Sequence, residues 1–183
     1  WIGGIKINEA DALRAAGHDL PALAEHLVLT FLRQAISNGF FHADMHQGNL
    51  FVQADGTIAA IDFGIMGRID RRARLWLAEI LYGLTTGNYR RVAEIHFEAQ
   101  YVPSYHNVDE FATALRAVGE PTRGKPVSEL SVGQMLDSLF AITREFDMAT
   151  QPHLLLLQKT MVMVEGLATQ LNPGINMWDV AAP

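Results

Sequence analysis

The stretch HADMHQGNLFVQADGTIAAIDFG, from His42 to Gly64, decides how this sequence folds. It contains two groups of polar residues, which are joined by two short apolar runs on either side of the sequence ADG. Apolar runs that flank an Asp-Gly pair are typical of two antiparallel strands with a tight turn. We therefore predict a β-hairpin that brings Asn49, before its first strand, next to Asp62, after its second.

The order of the polar residues indicates a phosphoryl-transfer site. In protein kinases, an Asp in the catalytic loop is followed by an Asn that binds metal, and a short hairpin then leads to the Asp of a D-F-G sequence. Asp44, Asn49 and the sequence DFG at Asp62 stand in this order. Such a site needs few protein groups, because catalysis comes from holding metal against phosphates and from orienting the acceptor. The combination favours a kinase-like site more strongly than any one of its parts.

A metal hydrolase is the chemical alternative, because His42, Asp44 and His46 alternate as ligands on one face of a strand would. This alternative gives no role to Asn49 or to the DFG sequence. We interpret His42 instead as a partly buried imidazole that hydrogen-bonds the backbone near Asp62 and stiffens the loop. The sequence gives no unique role to His46.

The composition indicates a globular domain that does not bind nucleic acid. The 183 residues are 49% hydrophobic and 19% charged, which is enough apolar sequence for a sizeable core. The formal charge of −6 opposes a nucleic-acid surface, which needs clustered Lys and Arg. The chain has no cysteine, so disulfides, thiolate metal sites and cysteine nucleophiles are excluded.

The most apolar stretch runs from Leu154 to Leu171 and includes the charged residues Lys159 and Glu165. Central charges oppose insertion into a membrane, so we predict a buried core helix. We interpret Met161 and Met163 as core filling. The histidines outside the motif are predicted to be surface residues or satisfied core residues: His18, His26, His96, His106 and His153.

Helical patterns and capping residues surround the hairpin, and GEPTRGKP is the one clear loop among them. The sequence therefore predicts an α+β fold that is mainly helical, with one hairpin beside about six helices. The predicted helices run from Pro21 to Ser37, from Asp70 to Gly87, from Tyr89 to Ala99, from Asn107 or Asp109 to Val118, after Ser131, and from Pro152 to the sequence NPG at Asn172.

Four stretches of the chain resemble the UbiB family of atypical protein-kinase-like proteins, which is linked to ubiquinone biosynthesis. They are WIGGIKI at Trp1, GFFHADMHQGNLFV, AAIDFGIMGRID and QPHLLLLQKTMVMVEG at Gln151, so the resemblance covers nearly the whole chain. The family usually has proline where Gln47 stands. This difference affects the rigidity of the loop and leaves the predicted metal ligands unchanged.

The resemblance implies a kinase-like fold that uses ATP and magnesium (Mg²⁺), in which Asp44 is the catalytic-loop aspartate and Asn49 and Asp62 hold the metal. We expect three neighbours to support the site structurally: His42, Phe63 and Gly64. The implied function is that of an ATP-dependent phosphotransferase or ATPase that supports ubiquinone (coenzyme Q) biosynthesis. Its implied partners are lipid or quinone precursors and other ubiquinone-biosynthesis proteins, on the cytoplasmic side of the bacterial inner membrane.

The resemblance also implies domain boundaries. We interpret residues 1–183 as the C-terminal, large lobe of a kinase-like fold, without the small nucleotide-clamping lobe and without the family's C-terminal membrane segment. Lys6 is not the β-strand lysine of the small lobe, because the family places that lysine before the hinge and Trp1 already lies at the hinge. We expect this lobe to be soluble, to fold alone and to be inactive alone.

Two further alternatives stay open. A pseudokinase-type regulatory module would hold nucleotide through the same ligands without turning it over. A small-molecule kinase of the aminoglycoside-phosphotransferase or choline-kinase kind also uses a His-x-Asp-x-His-x-x-Asn loop, although GIMGRIDRRAR resembles the UbiB pattern more closely. The short connection from Gly64 to Asp70, with no A-P-E sequence after it, disfavours a docked protein substrate.

Overall fold

The computed structural model describes residues 2–123, 138, 141–176 and 180. This part of the chain is mainly helical with two small sheets, as predicted for the α+β class. The strands are β1 Ile5–Lys6, β2 Phe40–His42, β3 Leu50–Val52, β4 Ile58–Ala60 and β5 Met66–Arg68. The helices are α1 Ala10–Ala15, α2 Leu20–Leu32, α3 Arg71–Thr86, α4 Tyr89–Glu98, α5 Val108–Gly119 and α6 Pro152–Leu171.

The chain forms two compact units. The first consists of Trp1–Ile69 and Pro152–Pro183, and it contains the five strands together with α1, α2 and α6. The second consists of Asp70–Gln151 and contains α3, α4 and α5.

Helix α2 leads into the motif loop. The carboxylate of Asp19 accepts a hydrogen bond from the Ala22 N–H and caps the first turn. After α2 the chain widens into a π-helix, Arg33–Asn38, and it ends at Gly39, whose φ of 68° is the left-handed conformation that glycine adopts readily. The helix predicted from Pro21 and its stop at Gly39 are confirmed, but the π-turn was not predicted.

The predicted hairpin is confirmed, and it belongs to a three-stranded sheet in the order β1-β3-β4. Its turn contains Gly56 at a φ of 84°, and the Asp55 carboxylate accepts a hydrogen bond from the Thr57 N–H. A second sheet pairs β2 with β5 in antiparallel register. Strands β1, β2 and β5 were not predicted, because strands of two or three residues are too short to give an alternating pattern.

Helix α6 packs against α2 and contacts β5 within the first unit. One face of α6 is buried, as predicted for a core helix, but the opposite face is exposed. Met161 is 39% exposed, so its interpretation as core filling was wrong. Among the described residues, no helix has both the length and the apolar character that crossing a membrane requires. The buried face consists of Thr160, Val164, Leu167, Ala168 and Leu171.

The second unit follows the predicted caps closely. The Asp70 carboxylate accepts hydrogen bonds from the first turn of α3, and Gly87 ends that helix at a φ of 74°. Asn107 caps α5. The predicted loop GEPTRGKP begins with the end of α5 and a 3-10 turn, Glu120–Thr122, and its last residues lie outside the described part. The helix predicted after Ser131 also lies mostly outside it, although residues 141–145 are helical.

Candidate active site

The motif residues lie in two connections of the first unit, one between β2 and β3 and the other between β4 and β5. In the second sheet His42 pairs with Met66. The residue that begins the β2–β3 connection therefore lies beside the residue that ends the β4–β5 connection. At the hairpin, the Ile61 N–H donates a 2.9 Å hydrogen bond to the Asn49 carbonyl oxygen. Asp62 is the next residue, and the hairpin therefore brings the two halves of the motif to the same end, as predicted.

His42 connects the two halves through its buried ring, which is only 1% exposed. Nε2 lies 2.9 Å from the Ile61 carbonyl oxygen, and Nδ1 lies 3.1 Å from the Asp44 backbone nitrogen. A carbonyl oxygen only accepts and a backbone N–H only donates, so Nε2 carries the hydrogen and Nδ1 accepts. The predicted hydrogen bond from His42 to the backbone before Asp62 is thus confirmed, with a ring that is fully rather than partly buried.

The same hydrogen bonds argue against a metal site made of His42, Asp44 and His46. Both ring nitrogens of His42 are used within the protein, and Nδ1 of His46 accepts a hydrogen bond from the Gly48 N–H. Throughout the described ranges, no group of three or more His, Cys, Asp or Glu side chains could hold a metal ion. The metal-hydrolase alternative is therefore contradicted.

Asp44 and Asn49 form a hydrogen-bonded pair across the loop. The Asn49 amide nitrogen donates to the Asp44 carbonyl oxygen at 3.0 Å and to its carboxylate Oδ2 at 3.2 Å. Both donors of the buried amide are thereby directed at Asp44. The amide Oδ1 accepts no hydrogen bond from the described residues, so it is the atom of Asn49 that is left for another ligand.

Asp62 is an exposed residue with an unusual backbone, because its φ of 58° lies in the left-handed region. Its Oδ1 accepts a hydrogen bond of 3.2 Å from the Gly64 N–H, while Oδ2 has no hydrogen-bond donor among the described residues. The neighbouring Phe63 is 61% exposed, and its ring centroid lies 5.2 Å from that of His42 in an edge-on contact. Rare backbone conformations of this kind concentrate at functional sites.

Beside His42 and Phe63 lies a largely apolar cavity of about 270 Å³. Asp44, Asn49 and Asp62 do not line it. The cavity therefore shares His42 and Phe63 with the motif but includes none of the three predicted catalytic and metal-binding side chains. The remaining lining residues come from α2, the π-helix and the strands: Leu27, Thr30, Gln34, Phe40, Met45, Leu50, Ile58, Ala60 and Met66.

The donor set fits Mg²⁺, which binds through oxygen and usually keeps several waters or substrate phosphates as further ligands. Asn49 offers an amide oxygen, and Asp62 offers a carboxylate at the same end of the hairpin. Two protein oxygens with phosphate and water would complete such a site without a third carboxylate. That these two oxygens converge on one ion stays a prediction.

Two residues that shape the loop were not predicted from the sequence. The Gln34 amide oxygen accepts a 3.1 Å hydrogen bond from the His42 N–H, and Gly48 donates its N–H to the ring of His46. Gln34 lies in a segment with an ordinary helical pattern, so nothing in the sequence marked it. Gly48 can be read from the sequence HQGN, but its role depends on the distance between its backbone and the His46 ring, which the sequence does not give.

Two family models match the chain. The ABC1 atypical kinase-like domain matches residues 1–96, and the UbiB helical domain matches residues 115–176. The first match contains the whole polar cluster from His42 to Gly64. The second match includes α6.

Curated relatives match the entire chain. Proteins named "Probable protein kinase UbiB" are 45% identical to it in Aeromonas salmonicida, 43% in Photobacterium profundum and 42% in Histophilus somni, each over 186 residues that cover 100% of this chain. The same alignments cover 34% of each relative. The chain therefore spans about a third of the length of these relatives.

Proposed function

The chain belongs to the ABC1/UbiB family of atypical kinase-like proteins, and from this premise we propose that it carries the catalytic residues of an ATP-dependent phosphotransferase or ATPase. The process that this activity supports is ubiquinone biosynthesis. In this proposal residues 1–183 form the large lobe of the kinase-like fold. The name of the relatives and the order of the motif residues both support the kinase class.

The observation that carries the proposal is the pairing of Asp44 with Asn49. A kinase site needs a base near the acceptor and an oxygen ligand near the phosphates, held at a fixed separation. The Asn49 amide nitrogen provides this connection by donating to both the backbone and the carboxylate of Asp44. The oxygen of the same amide is left for a metal, so one side chain can serve both requirements.

Each residue then has a defined role. Asp44 accepts the proton of the attacking hydroxyl or water, while Asn49 and Asp62 hold Mg²⁺. The ion, when bound, would neutralise charge that develops on the phosphate oxygens. The buried His42 ring holds the loop against the strand that precedes Asp62 and so keeps the base and the ligands in register.

The acceptor that suits this family is a lipid or a quinone precursor. We propose that the full-length protein meets such molecules at the cytoplasmic side of the bacterial inner membrane, together with other ubiquinone-biosynthesis proteins. The short connection between the DFG sequence and α3 supports an acceptor smaller than a protein, because it provides no long activation segment.

The proposal is tested by Mg²⁺-dependent turnover of ATP in the full-length protein. Asp62→Asn should abolish turnover, because it removes charge from the metal ligand without changing volume. Asp44→Asn should spare ATP binding more than turnover. Asp55→Asn is the matched control: its side chain caps the hairpin turn, and asparagine serves there equally well.

Three outcomes would argue otherwise. Full turnover in Asp62→Asn would contradict the proposal. Binding of Mg-ATP by the parent without any turnover, with or without quinone-precursor mimics, would assign a regulatory module instead. If His42→Ala combined with His46→Ala removed bound metal while Asp62→Asn did not, the metal-hydrolase alternative would return.

A further inference from the structure

The ring of His46, whose side chain is 47% exposed, is held beside Asp44 by one hydrogen bond. Its Nδ1 lies 3.0 Å from the Gly48 backbone nitrogen and accepts that N–H, so the ring hydrogen is on Nε2. This Nε2 lies 3.5 Å from Oδ2 of Asp44. The separation is longer than an ordinary hydrogen bond but too short for an intervening water, so the ring nitrogen and the carboxylate oxygen are in direct contact.

Gly48 is the residue that permits this orientation. A Cβ atom at position 48 would lie 3.1 Å from Nδ1 of the His46 ring and only 2.8 Å from its Cε1, and the second distance is closer than such atoms approach. Two backbone hydrogen bonds of 2.9 Å tighten the same turn, from the His46 N–H to the Asp44 carbonyl and from the Asn49 N–H to the His46 carbonyl. The Gly48 N–H is thus the donor that holds the ring in this orientation, and a side chain at position 48 would displace it.

The two oxygens of the Asp44 carboxylate differ as a result. Oδ2 accepts a 3.2 Å hydrogen bond from the Asn49 amide and lies 3.5 Å from Nε2 of the His46 ring. Oδ1 has no hydrogen-bond partner within the described ranges. One hydrogen bond and one close ring nitrogen on the same oxygen favour a single rotation of the carboxylate and leave its other oxygen with unused lone pairs.

We propose that His46 is a positioning residue for Asp44, and that Oδ1 of Asp44 is the oxygen that receives the proton in the transfer step. This inference rests on the proposed function. In that step the O–H bond of the attacking hydroxyl or water breaks, and its oxygen bonds to the γ-phosphorus. The bond from this phosphorus to the bridging oxygen breaks, ADP leaves, and the proton goes to Oδ1.

A merely structural role for His46, as part of the turn, makes a different prediction for two substitutions. His46→Asn keeps an acceptor in reach of the Gly48 N–H, as in an Asx-turn, but has no N–H that reaches Asp44. His46→Gln places an amide N–H at about the reach of Nε2 but loses the turn contact. The two variants therefore separate the turn from the contact with Asp44.

Steady-state turnover of Mg-ATP by the full-length protein decides between these roles. Positioning predicts that His46→Asn lowers kcat roughly 10- to 100-fold, as misplacement of a reacting group does, while KM for ATP stays unchanged. His46→Gln should recover most of the lost kcat. His26→Asn, at an exposed histidine of α2, is the control and should behave like the parent.

A kcat for His46→Asn equal to that of the parent would overturn the inference. Gly48→Ala provides a second test that keeps the histidine, because the added Cβ displaces its ring. It should lower kcat in the same way, and full kcat in Gly48→Ala would also overturn the inference. Failure of the proposed function gives a different result, because neither the parent nor Asp62→Asn would then turn over ATP. That result would also overturn the role proposed for His46.

Discussion

The Nε2–H of His42 donates a 2.9 Å hydrogen bond to the carbonyl oxygen of Ile61, nineteen residues further along the chain. This contact joins the loop that contains Asp44 to the segment that follows β4 and leads to Asp62. The other ring nitrogen accepts the Asp44 N–H, so one buried side chain sets the position of both halves of the site. The positions of Asp44 and of the backbone before Asp62 therefore both depend on this one buried ring.

His42→Leu should lower the free energy of unfolding by about 1–3 kcal/mol, because it leaves the partly buried N–H of Asp44 and carbonyl of Ile61 without their partner. Urea unfolding followed by circular dichroism measures this change. His26→Leu, on the exposed side of α2, should shift the free energy by no more than about 0.5 kcal/mol. Equal shifts in the two variants would show that the hydrogen bonds of the His42 ring do not stabilise the fold.

Gly67→Ala should destabilise the second sheet. Gly67 pairs with Phe41, and a Cβ at position 67 would lie 2.2 Å from Cζ of that buried ring. Overpacking of this kind costs about 1–3 kcal/mol of unfolding free energy. Gly166→Ala is the matched control in α6, where nothing lies within 4 Å of the added atom and alanine should stabilise the helix by roughly 0.5–1 kcal/mol. Thermal melting of both variants tests the opposite signs.

Stability should fall as the pH is lowered below about 6.5, the value for a histidine in an unfolded chain. Burial among Tyr101 and Phe111 lowers the pKa of His96, whose Nδ1 donates to the Val92 carbonyl oxygen at 2.7 Å. Between the lowered pKa and 6.5, the unfolded chain binds a proton that the folded chain excludes, so the free energy of unfolding decreases with falling pH.

The variant that checks this is His96→Phe, which should flatten the dependence of unfolding free energy on pH in that window. His26→Phe should leave the slope unchanged. Hydrogen bonds from Tyr105 and His106 lower the pKa of Asp147, whose contribution is lost in a separate, more acidic window below about 3.8. An unchanged slope in His96→Phe would mean that His96 is not the group responsible.

Much of the fold was predictable where a local cause decides it. The caps at Asp70, Gly87 and Asn107 are side-chain or glycine effects within one turn of the chain, and each helix begins or ends where its cap predicts. The hairpin likewise follows from the turn at Gly56. These elements need no knowledge of the rest of the molecule.

The features that were missed depend on contacts between distant residues. Strand β2 pairs with β5, where the Phe41 ring packs over Gly67, and these residues are far apart in the sequence. The π-turn likewise places the Gln34 side chain where it accepts the His42 N–H. Helix α6 shows the same effect at a larger scale. It lies within the residues that match the UbiB helical domain, but it packs against α2, which lies within the kinase-like match.

The most direct test of the site is to locate its metal. A crystal structure of the full-length protein with Mn²⁺ in place of Mg²⁺ and a non-hydrolysable ATP analogue would show the ion through its anomalous scattering. We predict one peak about 2 Å from both Asn49 Oδ1 and a carboxylate oxygen of Asp62, the distance typical of Mg²⁺ sites. A bound ion that contacts neither residue, or that lies instead on the imidazole nitrogens of His42 and His46, would contradict it.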